Sequence, residues 1–455
     1  MIHRLGINNF KQALLFIIAT IYVVGVSVYH LLVLVPLIVL VPYFLVQQKL
    51  LYVYSIPFLS LYLLFISFGG TNFSVSFTVL CLLGGISLIR FFEDHLKQKI
   101  TRVFIIYILG MSFGLIYSPD INLGIKLTMY NLLAFLIMLA GQQIASKYSV
   151  ESVLKNIVIF GLPIGIANVV FLLVPDLEIS FLHTSVAKLF IDPGALRVLF
   201  DEGYNNILDP RKAGTFFVNT NMAAVFFGIL LWSSLSLRLK SKVRSYNIPV
   251  IIYFLALLST NSRAGLGAFV FTLFLLILLN IKKKKTWFRL LIFTFPILSL
   301  GMLFVSSGLF DNIVSRLSIE AIESDPRMII WQFALSHIHP LSGLGYGGWE
   351  QISYQMGAEL GKLPPHNNFL IAWSWSGILG VISLATLVFG VMYMSMKRYK
   401  DTGNALYLSL MGAYGIVFFE GMFDNYFLHL YNISVLLFLI TGLVLFDKKG
   451  INNKN

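Results

Sequence analysis

The chain has 455 residues, 58% of them hydrophobic and only 12% charged, and its formal net charge is +13. A soluble protein carries charge on about a quarter of its residues, so an ordinary soluble fold is excluded. Apolar runs that are continuous rather than alternating exclude a β-barrel, and a single cysteine, Cys81, excludes a disulfide framework. What remains is an all-α polytopic membrane protein.

Met1 to Lys11 is short and basic and leads into an apolar run that no small-residue cleavage site closes. That run is read as a retained first span. Spans are expected near 12–28, 31–47, 50–68, 74–90, 103–118, 124–146, 156–174, 214–237, 246–260, 264–281, 287–307, 368–396, 404–420 and 426–446. The close pair at the start has the spacing of a re-entrant hairpin. The expectation is therefore about 12–14 transmembrane helices in a single transmembrane domain, 1–455. No sustained repeat or low-complexity tract interrupts it.

Charge alternates between successive connections. Lys49, the Arg90–Arg102 cluster, Lys147/Lys155, the Arg238–Arg244 cluster, Lys282 to Lys285, Lys397/Arg398/Lys400 and Lys448/Lys449 share one side with both termini. With Arg4, Lys11, Arg289 and Lys454, that side holds 24 of the 33 Lys and Arg. The positive-inside rule makes it cytoplasmic. The excess positive charge is thus a topology signal, and no nucleic-acid partner is expected. Lys126, Lys188, Arg197, Arg211, Lys212, Arg263, Arg316, Arg327 and Lys362 are left on or near the outer face.

Two outer connections are long, about 176–213 and about 308–365, and neither has a disordered composition. Asp176 to Leu199 mixes apolar and charged residues as a surface-lying helix does. In the second, Ser324-Asp325-Pro326 is a helix start with proline at the first helical position. That helix is expected to run to about Ile338 and stop at His339-Pro340. Its apolar residues Ile330, Trp331, Ala334, Leu335 and Ile338 recur at helical spacing.

Candidate functional residues gather at that face. Arg211 precedes Gly214-Thr215-Phe216, and Asn219 and Asn221 are read as lying a turn or two inside the next span, where polar groups need partners. Asn261 or Ser262 caps the following span and leaves Arg263 in its first turn. A cation there is disfavoured by a few tenths of a kcal/mol to about 1, which suits an anion-binding spot made of helix N–H groups and a guanidinium. An arginine touching lipid phosphate is the plainer reading. Arg327 stands one turn before Trp331 and can pair bidentately with phosphate oxygens, or with Glu320, Glu323 or Asp325. Gly343 to Gly348 is glycine-rich but lacks the Lys-Ser/Thr ending of a nucleotide loop, so it is read as a tight turn.

Pro364-Pro365 then stiffens the approach to His366, and Asn367 or Asn368 caps the span after it. A histidine beside a helix N-terminus is kept neutral and is fit to act as a general base. Gly377 and Gly380 are read as places where another helix approaches closely. Glu420 and Asp424 close a later span and are candidates to support an arginine or His366, as are Asn219, Asn221 and Asn367.

Three of these segments resemble the O-antigen ligase and Wzy-type O-antigen polymerase superfamily. They are Arg211 to Asn221, the run Arg327…Trp331…His339-Pro340-Leu341…Gly343-Leu344-Gly345, and His366-Asn367 followed nine residues later by Gly377-Ile378-Leu379-Gly380. The last is the most specific, and the resemblance covers about 205–385, a family-like catalytic region. Leu266 follows Arg263 by three residues where the family has four. The resemblance implies work on undecaprenyl-diphosphate-linked glycans at the outer face of the bacterial inner membrane, with no cofactor and no metal. It implies a sugar hydroxyl attacking the anomeric carbon while His366 takes its proton, with Arg263, Arg327 and Arg211 binding the diphosphate. A single displacement inverts the anomeric centre. Partners implied are the lipid-linked donor, a glycan acceptor, membrane lipids, a chain-length regulator and a flippase. A repeat-unit polymerase is the expected activity, because polymerases also serve capsule and exopolysaccharide systems. The alternatives are an O-antigen ligase with lipid A-core as acceptor, and a flippase. A flippase would place charge in mid-span and shorten the outer loops, the reverse of this chain.

Overall fold

A computed structural model describes residues 48–68, 71–202, 209–217, 219–279, 325–357, 360–425, 428 and 432–447. The spans expected near 12–28, 31–47 and 287–307, and residues 308–324 of the second long connection, lie outside the described residues.

The fold is all-α, with one short ribbon. Helix α1 runs from Gln48–Leu50 through a π-helical stretch, Leu51–Ser55, into Ile56–Leu61. It stops well short of residue 68. The strands β1 (Phe65–Phe68) and β2 (Thr71–Ser74) then pair antiparallel, Phe65 opposite Ser74. Phe65, Ile66 and Phe68 are aromatic and β-branched residues of the kind enriched in strands. Ser76 closes the ribbon by donating from Oγ to the Tyr62 carbonyl at 2.6 Å and accepting from Leu64 N.

The helices that follow are α2 (Val75–Lys97), α3 (Lys99–Ser112), α4 (Ile121–Lys147), α5 (Val150–Phe160) and α6 (Leu162–Leu173). Three short helices come next: α7 (Pro175–Leu182), α8 (Ala187–Phe190) and α9 (Pro193–Glu202). The chain continues with α10 (Thr220–Ser241), α11 (Asn247–Ser259), α12 (Arg263–Leu279), α13 (Pro326–His337), α14 (Gly348–Ile352), α15 (Asn368–Thr402), α16 (Tyr407–Glu420) and α17 (Asn432–Leu445). Five stretches among the described residues are long and apolar enough to cross a membrane: α2, α4, α5 with α6, α10 and α15. Shorter apolar helices accompany them at Leu51–Leu61, Arg244–Ser259, Arg263–Leu278, Tyr407–Glu420 and Ile433–Leu445.

α10 is the centre of the bundle. It is apolar around most of its circumference, and Phe226, Phe227 and Trp232 are fully buried. A helix with no polar face is one surrounded by others. Its serines Ser233 and Ser234 satisfy themselves on carbonyls one turn back. α5, α11, α12 and α16 pack around it. On the far side α4 and α17 meet with their backbones nearly touching, because Gly442 lies against the Met138 carbonyl and Gly141 against that of Leu439. Such contacts hold helices together where lipid supplies no hydrophobic drive.

α15 is the longest helix among the described residues, 35 residues. At about 1.5 Å per residue it is longer than the ~30 Å hydrocarbon layer. It is broken at Ser376 and Gly377, and the piece of chain after α13 docks into the break.

Candidate active site

The site is built from helix ends: the starts of α10, α12 and α15, and the end of α16. Asn367 caps α15, its Oδ1 accepting from Phe369 N at 2.9 Å and Leu370 N at 3.1 Å. Its Nδ2 donates to the Met422 carbonyl at 3.0 Å, and Asn368 N donates to the Gly421 carbonyl at 2.7 Å. The start of α15 is thereby stapled to the turn that ends α16. That staple brings Nδ1 of His366 to 3.5 Å from Oδ1 of Asp424, which is almost wholly buried. The other Asp424 oxygen accepts from Asn221 Nδ2 at 3.1 Å. Burial alone would raise the Asp424 carboxyl. The imidazole of His366, the amide of Asn221 and the N–H of Asn425 outweigh it and hold the group below its ordinary value. A carboxylate facing one ring nitrogen orients an imidazole and leaves the other for chemistry.

Asn219 and Asn221 lie less deep than the sequence suggests. Helix α10 begins at Thr220, not near 214, so Asn219 is its cap, accepting from Asn221 N at 2.8 Å. Residues before it are held in a loop by bonds to other helices. Asn221 then sits in the first turn and reaches Asp424.

Arg263 is the first residue of α12 and is half-buried. Ser262 caps this helix, its Oγ accepting from Gly265 N at 3.1 Å. Gly265 lies against Ala224 of α10 and Gly267 against Phe419 of α16, so Arg263 starts its helix where those two helix ends meet. Asn261 Nδ2 donates to the carbonyl of Arg211 at 3.1 Å, which ties the two arginine-bearing segments together.

Arg211 is engaged already. Its Nε lies 2.9 Å from Oδ1 of Asp209 and its Nη2 3.3 Å from Oδ2, a bidentate pair at an exposed position. Lys212 shares the same carboxylate at 3.8 Å. A phosphate at Arg211 has to compete with Asp209. Arg327 opens α13 beside its cap, Asp325, which accepts from Arg327 N at 3.0 Å and faces the guanidinium at 3.9 Å. The sequence names Asp325 among three partners, and this is the one present among the described residues. One turn on, Trp331 Nε1 donates to the Pro365 carbonyl at 2.9 Å and its ring lies 6.2 Å from that of Phe423. α13 is therefore fixed to the residue before His366 and to the residue before Asp424.

Gly377 does something other than admit a neighbouring helix. Its φ is +61°, and a Cβ there would run into the Leu341 carbonyl. The break frees two backbone groups of α15, and the docked loop takes both: Leu344 N donates to the Ser374 carbonyl at 2.7 Å, and Ile378 N donates to the Pro340 carbonyl at 3.1 Å. Broken backbone at membrane depth is tolerated when protein satisfies it in this way. Gly380 faces the Ala372 carbonyl across the same kink. The glycine pair thus seats the loop that follows α13.

Glu178 of α7 was not singled out by the sequence, where it reads as one acid in a surface helix. It is 2% exposed, and its Oε1 accepts from Gly214 N at 2.8 Å and Thr215 N at 2.7 Å. Burial pushes its carboxyl up to about 7 against the pull of those two N–H groups. Thr215, Asn261 and His366 are three of the four non-glycine residues with positive φ among the described residues. Strained backbone of this kind collects at functional sites. No group of three or more His, Cys, Asp or Glu among the described residues is placed to hold a metal ion.

Residues 248–385 match the model of the Wzy_C family, described as O-antigen ligase. The match supports the O-antigen ligase/Wzy superfamily. Glycan transfer of the ligase or polymerase type is the activity it supports for this membrane protein. The matched stretch contains Arg263, Arg327, His366, Gly377 and Gly380. Glu178, Arg211, Asn219, Asn221, Glu420 and Asp424 lie outside it. No curated protein matches the chain.

Proposed function

We propose that this protein polymerises undecaprenyl-diphosphate-linked oligosaccharide repeat units at the outer face of a bacterial inner membrane. The observation that carries the reading is the His366–Asp424 pair, with the Arg327 helix fastened to the start of α15 and the Arg263 helix packed on the end of α16. The acceptor's sugar hydroxyl gives its proton to His366 as its oxygen bonds to the donor's anomeric carbon. The bond from that carbon to the diphosphate breaks, and the diphosphate leaves with the electron pair. Arg263 and Arg327 face the charge that develops on it, and Arg211 joins them by exchanging Asp209 for phosphate. One displacement inverts the anomeric centre. Asp424 faces one ring nitrogen and steadies the imidazole. A chain-length regulator and a flippase would work beside such an enzyme.

A deletion strain tests this with a glycan ladder. Polymerase loss leaves single repeat units on the surface carrier. Full-length polymer surviving the deletion overturns the reading. The family's description favours a second reading, ligation to lipid A-core; its signature is full-length polymer retained on the lipid carrier and missing from lipid A-core.

A further inference from the structure

The loop 211–215 is held at every residue, and Glu178 supplies the part that no helix backbone provides. Arg211 O accepts from Asn261 Nδ2, Lys212 N donates to Asp209 O, and Ala213 N donates to Ser259 O. Gly214 N and Thr215 N both donate to one oxygen of Glu178. Thr215 Oγ1 donates to Asn168 Oδ1 at 3.1 Å, and Asn168 Nδ2 donates to Ser259 Oγ at 2.6 Å and to the Ala256 carbonyl at 3.1 Å. The loop therefore joins α6, α7, α11 and the approach to α12. Ala213 and Thr215 are fully buried, while the Arg211 side chain, two residues earlier, is 57% exposed. A closed, ordered loop carries an outward guanidinium.

A carboxyl is an unfavourable group to bury. No ion pair to Glu178 occurs among the described residues. If α7 only needed to fill space against Phe216 and its neighbours, an apolar side chain would serve. What Glu178 provides is one acceptor oxygen where two adjacent N–H groups converge, at a residue, Thr215, whose φ of +50° a side chain seldom adopts unaided. Two N–H groups pointing one way make an anion-binding hollow, and here the chain's own carboxyl fills it.

We propose that Glu178 is a positioning residue for glycan transfer: it holds the Gly214–Thr215 turn and through it sets where Arg211 stands at the site. The inference rests on the proposed function for its activity arm and on geometry alone for its second arm. A glutamine keeps a carbonyl oxygen at the same reach and accepts both N–H groups. A leucine keeps the volume and accepts neither. An aspartate keeps the carboxylate but falls one methylene short.

Two measurements on the full chain in its membrane test it. In a Cys81→Ser background, Ala213→Cys is exposed to a membrane-impermeant maleimide. It stays unlabelled with Glu178 or Glu178→Gln and becomes labelled with Glu178→Leu. In the deletion strain, Glu178→Gln restores the glycan ladder to within about twofold of wild type, and Glu178→Leu lowers it about tenfold. Arg211→Ala lowers it as much, and the double variant Glu178→Leu/Arg211→Ala no further, because coupled residues do not add. If Glu178→Leu does not accumulate, Glu178→Asp takes its place with the same expectations. Ala213→Cys closed to label in the Leu and Asp variants overturns the proposal. So does a ladder unchanged by either variant, a Gln variant as impaired as Leu, or losses that add to that of Arg211→Ala. A normal ladder from His366→Ala removes the transfer reading instead, and the labelling arm then decides by itself whether Glu178 holds the loop.

Discussion

Asp424 sits between His366 and Asn221, and replacing it separates orientation from proton transfer. Asp424→Asn keeps the shape and the contact to Asn221 but removes the charge facing the ring. Polymer made by this variant is expected to fall by less than the ~10²–10⁴ that a missing general base costs, with protein still in the membrane; equal output from Asp424→Asn and wild type would detach Asp424 from the chemistry. Glu178 offers a pH signature. Its carboxyl titrates near 7 in the folded chain, above the value of about 4.3 for a free glutamate. A raised acid pKa means that folding favours the protonated form, so this stability is present at low pH and is lost as pH rises from about 4 to about 7. The size is on the order of 3 kcal/mol. Melting in detergent is expected to fall between pH 5 and pH 8 more steeply for wild type than for Glu178→Gln; parallel curves would contradict it.

Among the elements, α15 shows how a short motif acts through backbone. Gly377 and Gly403 both have φ in the left-handed region, +61° and +68°. A Cβ at Gly377 would meet the Leu341 carbonyl, whereas nothing lies within 4 Å of one at Gly403. Alanine at Gly403, with ψ of 5°, costs left-handed backbone strain of order 1–3 kcal/mol, whereas Gly377, with ψ of −149°, is near a region almost confined to glycine, and the clash is added there too. Gly377→Ala is expected to release the loop 340–344 and become sensitive to protease added at that face, while Gly403→Ala stays resistant. Equal resistance would mean that the loop does not depend on the break. The start of α13 was legible because proline after Ser-Asp is a local signal, and Asp325 caps it. The reading of Gly377 as a helix contact failed because nothing local says that a loop will bond to the opened turn.

For the whole molecule, the distribution of basic residues makes a sidedness prediction. With Cys81→Ser as background, an impermeant thiol reagent added to intact spheroplasts is expected to label Lys362→Cys and not Lys240→Cys. The reverse pattern would invert the topology and with it the placement of His366. Taken alone, the sequence determined the membrane class, most of the helices, the family resemblance and the individual candidates His366, Arg263 and Arg327. Hydropathy, charge bias, proline and cap signals act over a few residues, so they are readable one stretch at a time. Tertiary structure alone decided that Asp424 faces His366 and is held by Asn221, a bond across 203 positions, and that Glu178 seats the Arg211 loop across 36. It also ended α1 early in favour of a ribbon and moved the start of α10 past Asn219. Each of these depends on which helix ends meet, and that is set by packing around α10, whose sequence is mostly apolar and names no partner.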